Sequence, residues 1–266
     1  MRSADFFSTH PVFTHAEYLA AHGEGRARSP RTADSLLSLH VDAGRLLRVR
    51  RGLYAVVPSG VAPEEFRADP FLVATKLATD AAVAYHAALQ FHGKAYSVWH
   101  RFSVLTAAHV RPFTFQGNEL VAVAPPKAVR DLPDFGGGVV TESYAGGEVR
   151  VTTLERTLVD VLDDPALGGG WEEVWRSLEM VEYFDLDAVV QIALARSALT
   201  VARVGWFLEQ HREMLFVEDR HLQPLREHAP RQPRYLDAKR ESGTLVKPWN
   251  LVVPERTLRR TWAEVA

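Results

Sequence analysis

Gly44-Arg45-Leu46-Leu47-Arg48-Val49-Arg50-Arg51-Gly52-Leu53-Tyr54-Ala55 is the stretch on which the fold turns. Leu47, Val49, Leu53, Ala55 and Val57 interleave with Arg48, Arg50 and Tyr54, the two-residue period of strands that bury one face. Gly44 stands where a preceding helix needs a left-handed residue to stop. Upstream, Ser29 offers an N-cap and Pro30 the first helical position, and Ala33, Leu36, Leu37 and Ala43 supply an inward-packing side. Before that, Thr14 and Glu17 have capping-box spacing and open a short helix to about His22, broken by Gly23 and Gly25. Helix, helix and arginine-rich hairpin in that order predict a winged helix-turn-helix over residues 1–64, with its wing from Arg45 to Tyr54.

The net charge of -2 conceals a local excess. Arg26, Arg28, Arg31, Arg45, Arg48, Arg50 and Arg51 share one segment with only Asp34 and Asp42 against them. That is the pattern of a small polyanion-binding module inside a slightly acidic chain. The N-terminal part of the second helix of such a module enters the major groove of double-stranded DNA. Arg31, Thr32, Ser35 and Ser38 are therefore expected to face bases or phosphates, with Arg31 the leading base contact. Arg45, Arg48, Arg50 and Arg51 are expected to meet phosphates or the adjacent minor groove, adding affinity and salt dependence more than sequence choice. The competing reading of an arginine-rich hairpin is a solvated sheet face; the capped helix and glycine stop in front of it favour DNA.

With 266 residues, 47% hydrophobic and 24% charged, the chain has material for one or two domains with a buried core. No run of about 18 apolar residues appears, and Asp5, His10 and Pro11 occupy the place of a signal-peptide core, so a cytoplasmic protein without a membrane partner is expected. The absence of cysteine excludes disulfides, thiolate zinc sites and a cysteine nucleophile.

Pro58, Gly60, Pro63 and Pro70 mark a linker, placing a second domain at residues 65–266. Asp69-Pro70 is expected to cap a helix through Leu77, and Asp80 to open another that ends at Gly93. Alternating segments within 97–151 predict strands, with a hairpin at Ala145-Gly146-Gly147. Thr152 and Glu155 have the spacing of a second capping box, and Arg156 and Asp160 lie one turn apart. Residues 152–228 read as mostly helical, and 249–254 as a short strand that could return to the middle sheet. The fold class is α+β: a winged helix-turn-helix followed by a mixed, mainly helical C-terminal domain.

Candidate chemistry elsewhere is sparse, and neither a cofactor nor a metal is expected. His86, His92, His100 and His109 fit no metal-ligand spacing, and His92 reads as a last-turn residue. Gly136-Gly137-Gly138 and Gly168-Gly169-Gly170 lack the lysine-serine/threonine of a phosphate loop and read as turns. Asp237-Ala238-Lys239, with Glu209 or Asp219, is similar to half of a nuclease metal site and motivates a metal-dependent nuclease as the enzymatic alternative. The large aromatics fall on helical stripes, and the tail Arg256 to Arg260 reads as a solvated face.

The segment from Leu36 through Ala55 resembles the N-terminal domain of AbiEi-type antitoxins, bacterial regulators encoded with abortive-infection toxins; the arginine-arginine-glycine-aliphatic-tyrosine wing is its mark. Leu89 to Gly93, Thr152 to Asp160, Gly169 to Trp171, Arg203 to Glu209 and Trp249 to Pro254 extend the resemblance over nearly the whole chain, while the loop 23–28 departs from it. The resemblance implies a non-enzymatic phage-defence antitoxin that represses its own operon at promoter inverted repeats. It also implies a cognate nucleotidyltransferase-like toxin of the AbiEii type, counteracted directly or indirectly. A stand-alone repressor without a toxin is the other alternative.

Overall fold

The computed structural model describes residues 3–23 and 30–261. The chain begins α1 (Ser3–Thr9), β1 (Val12–Thr14), α2 (His15–Gly23), α3 (Pro30–Asp42), β2 (Leu46–Arg50) and β3 (Leu53–Val56). It continues α4 (Pro70–Thr75), β4 (Ala82–Val83), α5 (His86–Phe91), β5 (Arg101–Leu105), β6 (Phe113–Phe115), β7 (Asn118–Val123), β8 (Val139–Tyr144) and β9 (Gly147–Thr152). The remainder is α6 (Leu154–Asp163), α7 (Trp171–Glu179), α8 (Leu186–Leu194), α9 (Ala198–Gln210), α10 (Asp219–His228), β10 (Arg234–Tyr235), β11 (Thr244–Val246), β12 (Leu251–Val253) and α11 (Glu255–Leu258). These described elements form three sheets with helices alongside, an α+β chain. No helix among the described residues is long and apolar enough to cross a membrane.

Residues 57–69, where a linker was expected, carry no helix or strand. Compactness nevertheless groups the chain differently from a single break near residue 65. One unit comprises residues up to Val83, His100–Ala122 and Thr141–Val151; the other comprises Ala84–Trp99, Val123–Val140 and Thr152 onward.

In the first unit, α1 and β1 have no counterpart in the expected pattern. Short elements carry little periodic signal, and these two are held by burial. Phe6 of α1 and Phe13 of β1 join Tyr18, Ala33, Leu37, Leu46 and Tyr54 in one core. Phe6 meets Phe13 and Tyr18 edge to face at 5.0 and 5.4 Å. β1 pairs antiparallel with β3, and β3 with β2, giving a three-stranded sheet of order β1-β3-β2. The same unit holds a six-stranded sheet of order β6-β7-β5-β4-β9-β8. Its strand β4 corrects the helix expected from Asp80. The Asp80 carboxylate accepts bonds from the Thr106 hydroxyl and, at 2.8 Å, the Ala107 amide, so it does not cap a helix. Ala82 and Val83, flanked by β5 and β9, are buried strand residues, and a short apolar run buried on both faces cannot be told from a helix by periodicity. Asp69 does cap α4, accepting from the amides of Phe71 and Leu72.

The second unit is mainly helical, with α6 packed against α8 and α9, and α10 against the same two helices. Thr153 caps α6, not Thr152: its Oγ1 accepts from the Arg156 amide. The Thr152 hydroxyl instead bonds Thr157 at 2.7 Å, and Glu155 accepts from the Asp185 amide, so the expected capping box is not formed. The 249–254 strand likewise does not return to the middle sheet. β12 lies between β10, parallel to it, and β11, antiparallel. Trp249 just ahead of it packs against α9 at Gly205, where a Cβ would meet the indole at 2.1 Å.

Arg156 and Asp160, one turn apart on α6, are 0% and 1% exposed. Arg156 Nε donates to both Asp160 oxygens at 2.9 and 2.8 Å, and Arg196 Nη2 donates to the same carboxylate at 2.8 Å. Burial raises the Asp160 pKa, and the two guanidiniums oppose that rise. Arg156 Nη1 also donates to the carbonyls of Phe135 and Gly137, and Gly138 has no room for a Cβ beside Arg156, so this glycine triplet is a packed bend. Removing the carboxylate strands buried guanidiniums, a loss of about 3–5 kcal/mol. Asp160→Ala is expected to lower the urea midpoint accordingly, whereas Glu172→Ala, which breaks the half-exposed helical pair with Arg176, costs about 0.3–0.5 kcal/mol. Equal midpoints for the two variants would contradict a structural role for the buried triad.

Candidate nucleic-acid interface

The candidate surface is built on α2, α3 and the β2–β3 hairpin. The Thr14–Glu17 capping box is present: the Glu17 amide donates to Thr14 Oγ1 at 3.2 Å, and the Thr14 amide to Glu17 Oε2 at 2.7 Å. Lys76, just past α4, bonds the other oxygen of Glu17 and ties the start of α2 to the body of the unit. The expected N-cap Ser29 lies outside the described residues, as does the side chain of Arg31. On α3, Ala33 and Leu37 are buried, one turn apart, while Thr32, Ser35 and Ser38 are exposed. Asp34, also exposed, lies 2.9 Å from Nε2 of His15 on α2.

Gly44 ends the helix with φ +68°, and a Cβ there would lie 2.8 Å from Pro63. β2 then pairs with β3 from Leu46↔Val56 to Arg50↔Leu53, with a register shift between Arg48 and Arg50. Gly52 turns the hairpin at φ +76°, and its carbonyl accepts from the His15 amide at 2.8 Å. Bulges re-aim side chains. Here Arg48 is exposed and Val49 buried, while Arg50 is half-buried with Nη2 donating to the Leu77 carbonyl at 2.7 Å. The Arg50 guanidinium also lies 5.4 Å from the centre of the Phe113 ring, and burial lowers its pKa. The four expected wing cations thus divide: Arg45, Arg48 and Arg51 face solvent and Arg50 is tied into the unit. Sequence alternation puts Arg48 and Arg50 on one face and carries no sign of the bulge that separates them.

The remaining candidates do not converge. His86 is buried with Nε2 3.0 Å from Glu173, His92 reaches the Thr152 carbonyl at 2.8 Å, His100 contacts Asn118 and His109 is exposed. Glu209 accepts from Arg226 and Trp249, Asp219 from Arg212, and Asp237 from the Lys239 amide. In the tail, Arg256, Arg259 and Arg260 pair with Glu241, Glu255 and Glu179.

No family model matches the chain, and no curated protein matches it. Its fold is similar to that in the crystal structure of the RV2827C protein from Mycobacterium tuberculosis. That likeness covers 98% of this chain and 94% of the other at 17% identity, with a TM-score of 0.61. At that identity the likeness shows the fold alone.

Glu17 makes the positioning of α2 pH-dependent. Burial alone would raise its pKa, but the Lys76 ammonium and the Thr14 donors outweigh that and hold it below its ordinary 4.5. A depressed carboxyl contributes stability at neutral pH that is lost as pH falls through the folded-state pKa. Glu17→Gln is therefore expected to cost about 1 kcal/mol at neutral pH and to show a shallower loss of thermal midpoint through the carboxylate range. Parallel pH profiles for the two proteins would refute this role.

Proposed function

We propose that α2, α3 and the β2–β3 hairpin act as a winged helix-turn-helix that binds double-stranded DNA at inverted repeats in the chain's own promoter. The observation that carries this reading is the outward set Arg45, Arg48 and Arg51 on the hairpin that follows α3, a helix whose Thr32, Ser35 and Ser38 are exposed. Arg31, Thr32 and Ser35 read the major groove, Ser38 lies further along the same helix, and the hairpin arginines neutralise phosphates. Arg50 holds the hairpin in place. The second unit carries the antitoxic activity against a nucleotidyltransferase-like toxin of the AbiEii type, a reading supported by the resemblance of Leu89 to Gly93, Thr152 to Asp160 and Trp249 to Pro254 to AbiEi antitoxins. The protein acts by binding, without catalysis.

For every phosphate that a variant no longer neutralises, the slope of log affinity against log salt falls by about 0.9. Arg48→Ala combined with Arg51→Ala is expected to weaken binding to promoter DNA in a gel-shift assay and to lower that slope by about two, while cells expressing the neighbouring toxin are still rescued. Wild-type binding and slope in the double variant would sink the DNA assignment. A wild-type chain that fails to rescue against the neighbouring gene would leave a repressor without a toxin.

A further inference from the structure

Several exposed arginines of this chain are matched by carboxylates: Arg101 by Glu119, Arg212 by Asp219, Arg226 by Glu209. In the first unit, Arg50 is bound to Leu77 and Arg67 donates to the carbonyls of Glu64 and Phe66. In that unit Arg45, Arg48, Arg51 and Arg111 are different, as Arg231, Arg234 and Arg240 are in the other. They are exposed, and among the described residues none of them forms an ion pair or a side-chain hydrogen bond. Three of the four in the first unit are the outward hairpin arginines; Arg111 lies far along the sequence, in the loop joining β5 to β6.

Both ends of that loop are fixed to the part of the unit that holds the hairpin. At its start, Asp80 accepts from the Thr106 hydroxyl and the Ala107 amide, and Thr106 Oγ1 accepts from the Ala108 amide at 3.0 Å. At its end, Phe113 opens β6 with its ring under the Arg50 guanidinium, whose hydrogen bond goes to Leu77. Arg111 is two residues from Phe113, at most about 7 Å of chain. Pro112 restricts the backbone between them. The loop carries no Asp or Glu of its own: between Thr106 and Asn118 the charged residue is Arg111. His109, exposed in the same loop, adds a further polar group.

We propose that residues 107–112 form a second DNA-backbone element, in which Arg111 binds a phosphate of the duplex that the hairpin's Arg48 and Arg51 contact. The proposal rests on the DNA-binding reading above and extends the nucleic-acid face beyond the first 64 residues. An exposed guanidinium without a counter-carboxylate, on a loop fixed at both ends, suits phosphate, and it contributes affinity without reading sequence. It also gives the Arg50 bridge a purpose: one inward arginine sets the spacing between two outward cationic elements.

The test uses the full chain with Arg111→Ala, a duplex carrying the promoter inverted repeats and an unrelated duplex of equal length. The variant removes an exposed side chain, and an unchanged thermal midpoint verifies the fold. The expected result is weaker binding to both duplexes by the same factor, with the log–log salt slope lowered by about one and the preference for the promoter unchanged. Arg111→Lys is expected to restore most of the slope. Wild-type affinity and slope for Arg111→Ala, while the Arg48 and Arg51 variants are impaired, overturns the proposal and leaves the DNA reading standing. Impaired toxin rescue with intact DNA binding also overturns it, assigning Arg111 to a protein partner. If neither Arg111 nor the hairpin arginines affect binding, the DNA reading has failed with it.

Discussion

Arg50 sits in the middle of the basic hairpin and is the cation that does not point out. Its guanidinium gives a 2.7 Å hydrogen bond to the Leu77 carbonyl and covers the ring of Phe113. A charged hydrogen bond is worth about 1.5–3 kcal/mol and a cation–π contact about 0.5–1 kcal/mol. Neither partner is an acid, so the charge is held by a carbonyl dipole and a ring quadrupole and leaves the local excess of positive charge intact. The geometry depends on the irregularity between Arg48 and Arg50, which keeps Arg48 in solvent while Arg50 turns toward the unit. Strand, loop and hairpin of the first unit are thereby referenced to one side chain.

That constraint bears on the extent of the proposed nucleic-acid module. The sequence alone suggests a module that ends near residue 64. In space, the hairpin shares a compact unit with the six-stranded sheet. Lys76 bonds the capping carboxylate at the start of α2, so that helix is positioned by charge as well as by the aromatic core around Phe6, which also takes in Ala33 and Leu37 of α3. Arg45, Arg48 and Arg51 are exposed and pair with no carboxylate among the described residues.

Much of the fold was legible because its signals are local. The Thr14–Glu17 cap, the stop at Gly44, the hairpin at Gly52, the Asp69 cap and the α6 helix all depend on residues within a turn of one another, and all are present. What escaped depends on distant partners. Asp80 has the look of a cap until Thr106 and Ala107 claim its carboxylate. α1 and β1 are too short to announce themselves and exist because Phe6 and Phe13 fill the core. β12 chose neighbours at 234–235 and 244–246, which no periodicity specifies. At the candidate site, the exposed face of α3 and three of the four hairpin arginines were readable from alternation and charge. The inward turn of Arg50 and the proximity of the Arg111 loop were not, since both arise from contacts between segments far apart in sequence.

The central claim is that DNA is held by one face of the first unit. Hydrogen exchange of the full chain with and without promoter duplex tests it most directly. Slowed exchange in residues 30–42, 46–53 and 107–112, with α6 and α9 of the second unit unchanged, is the result this account predicts. Protection confined to the second unit, or none on adding the duplex, would contradict it.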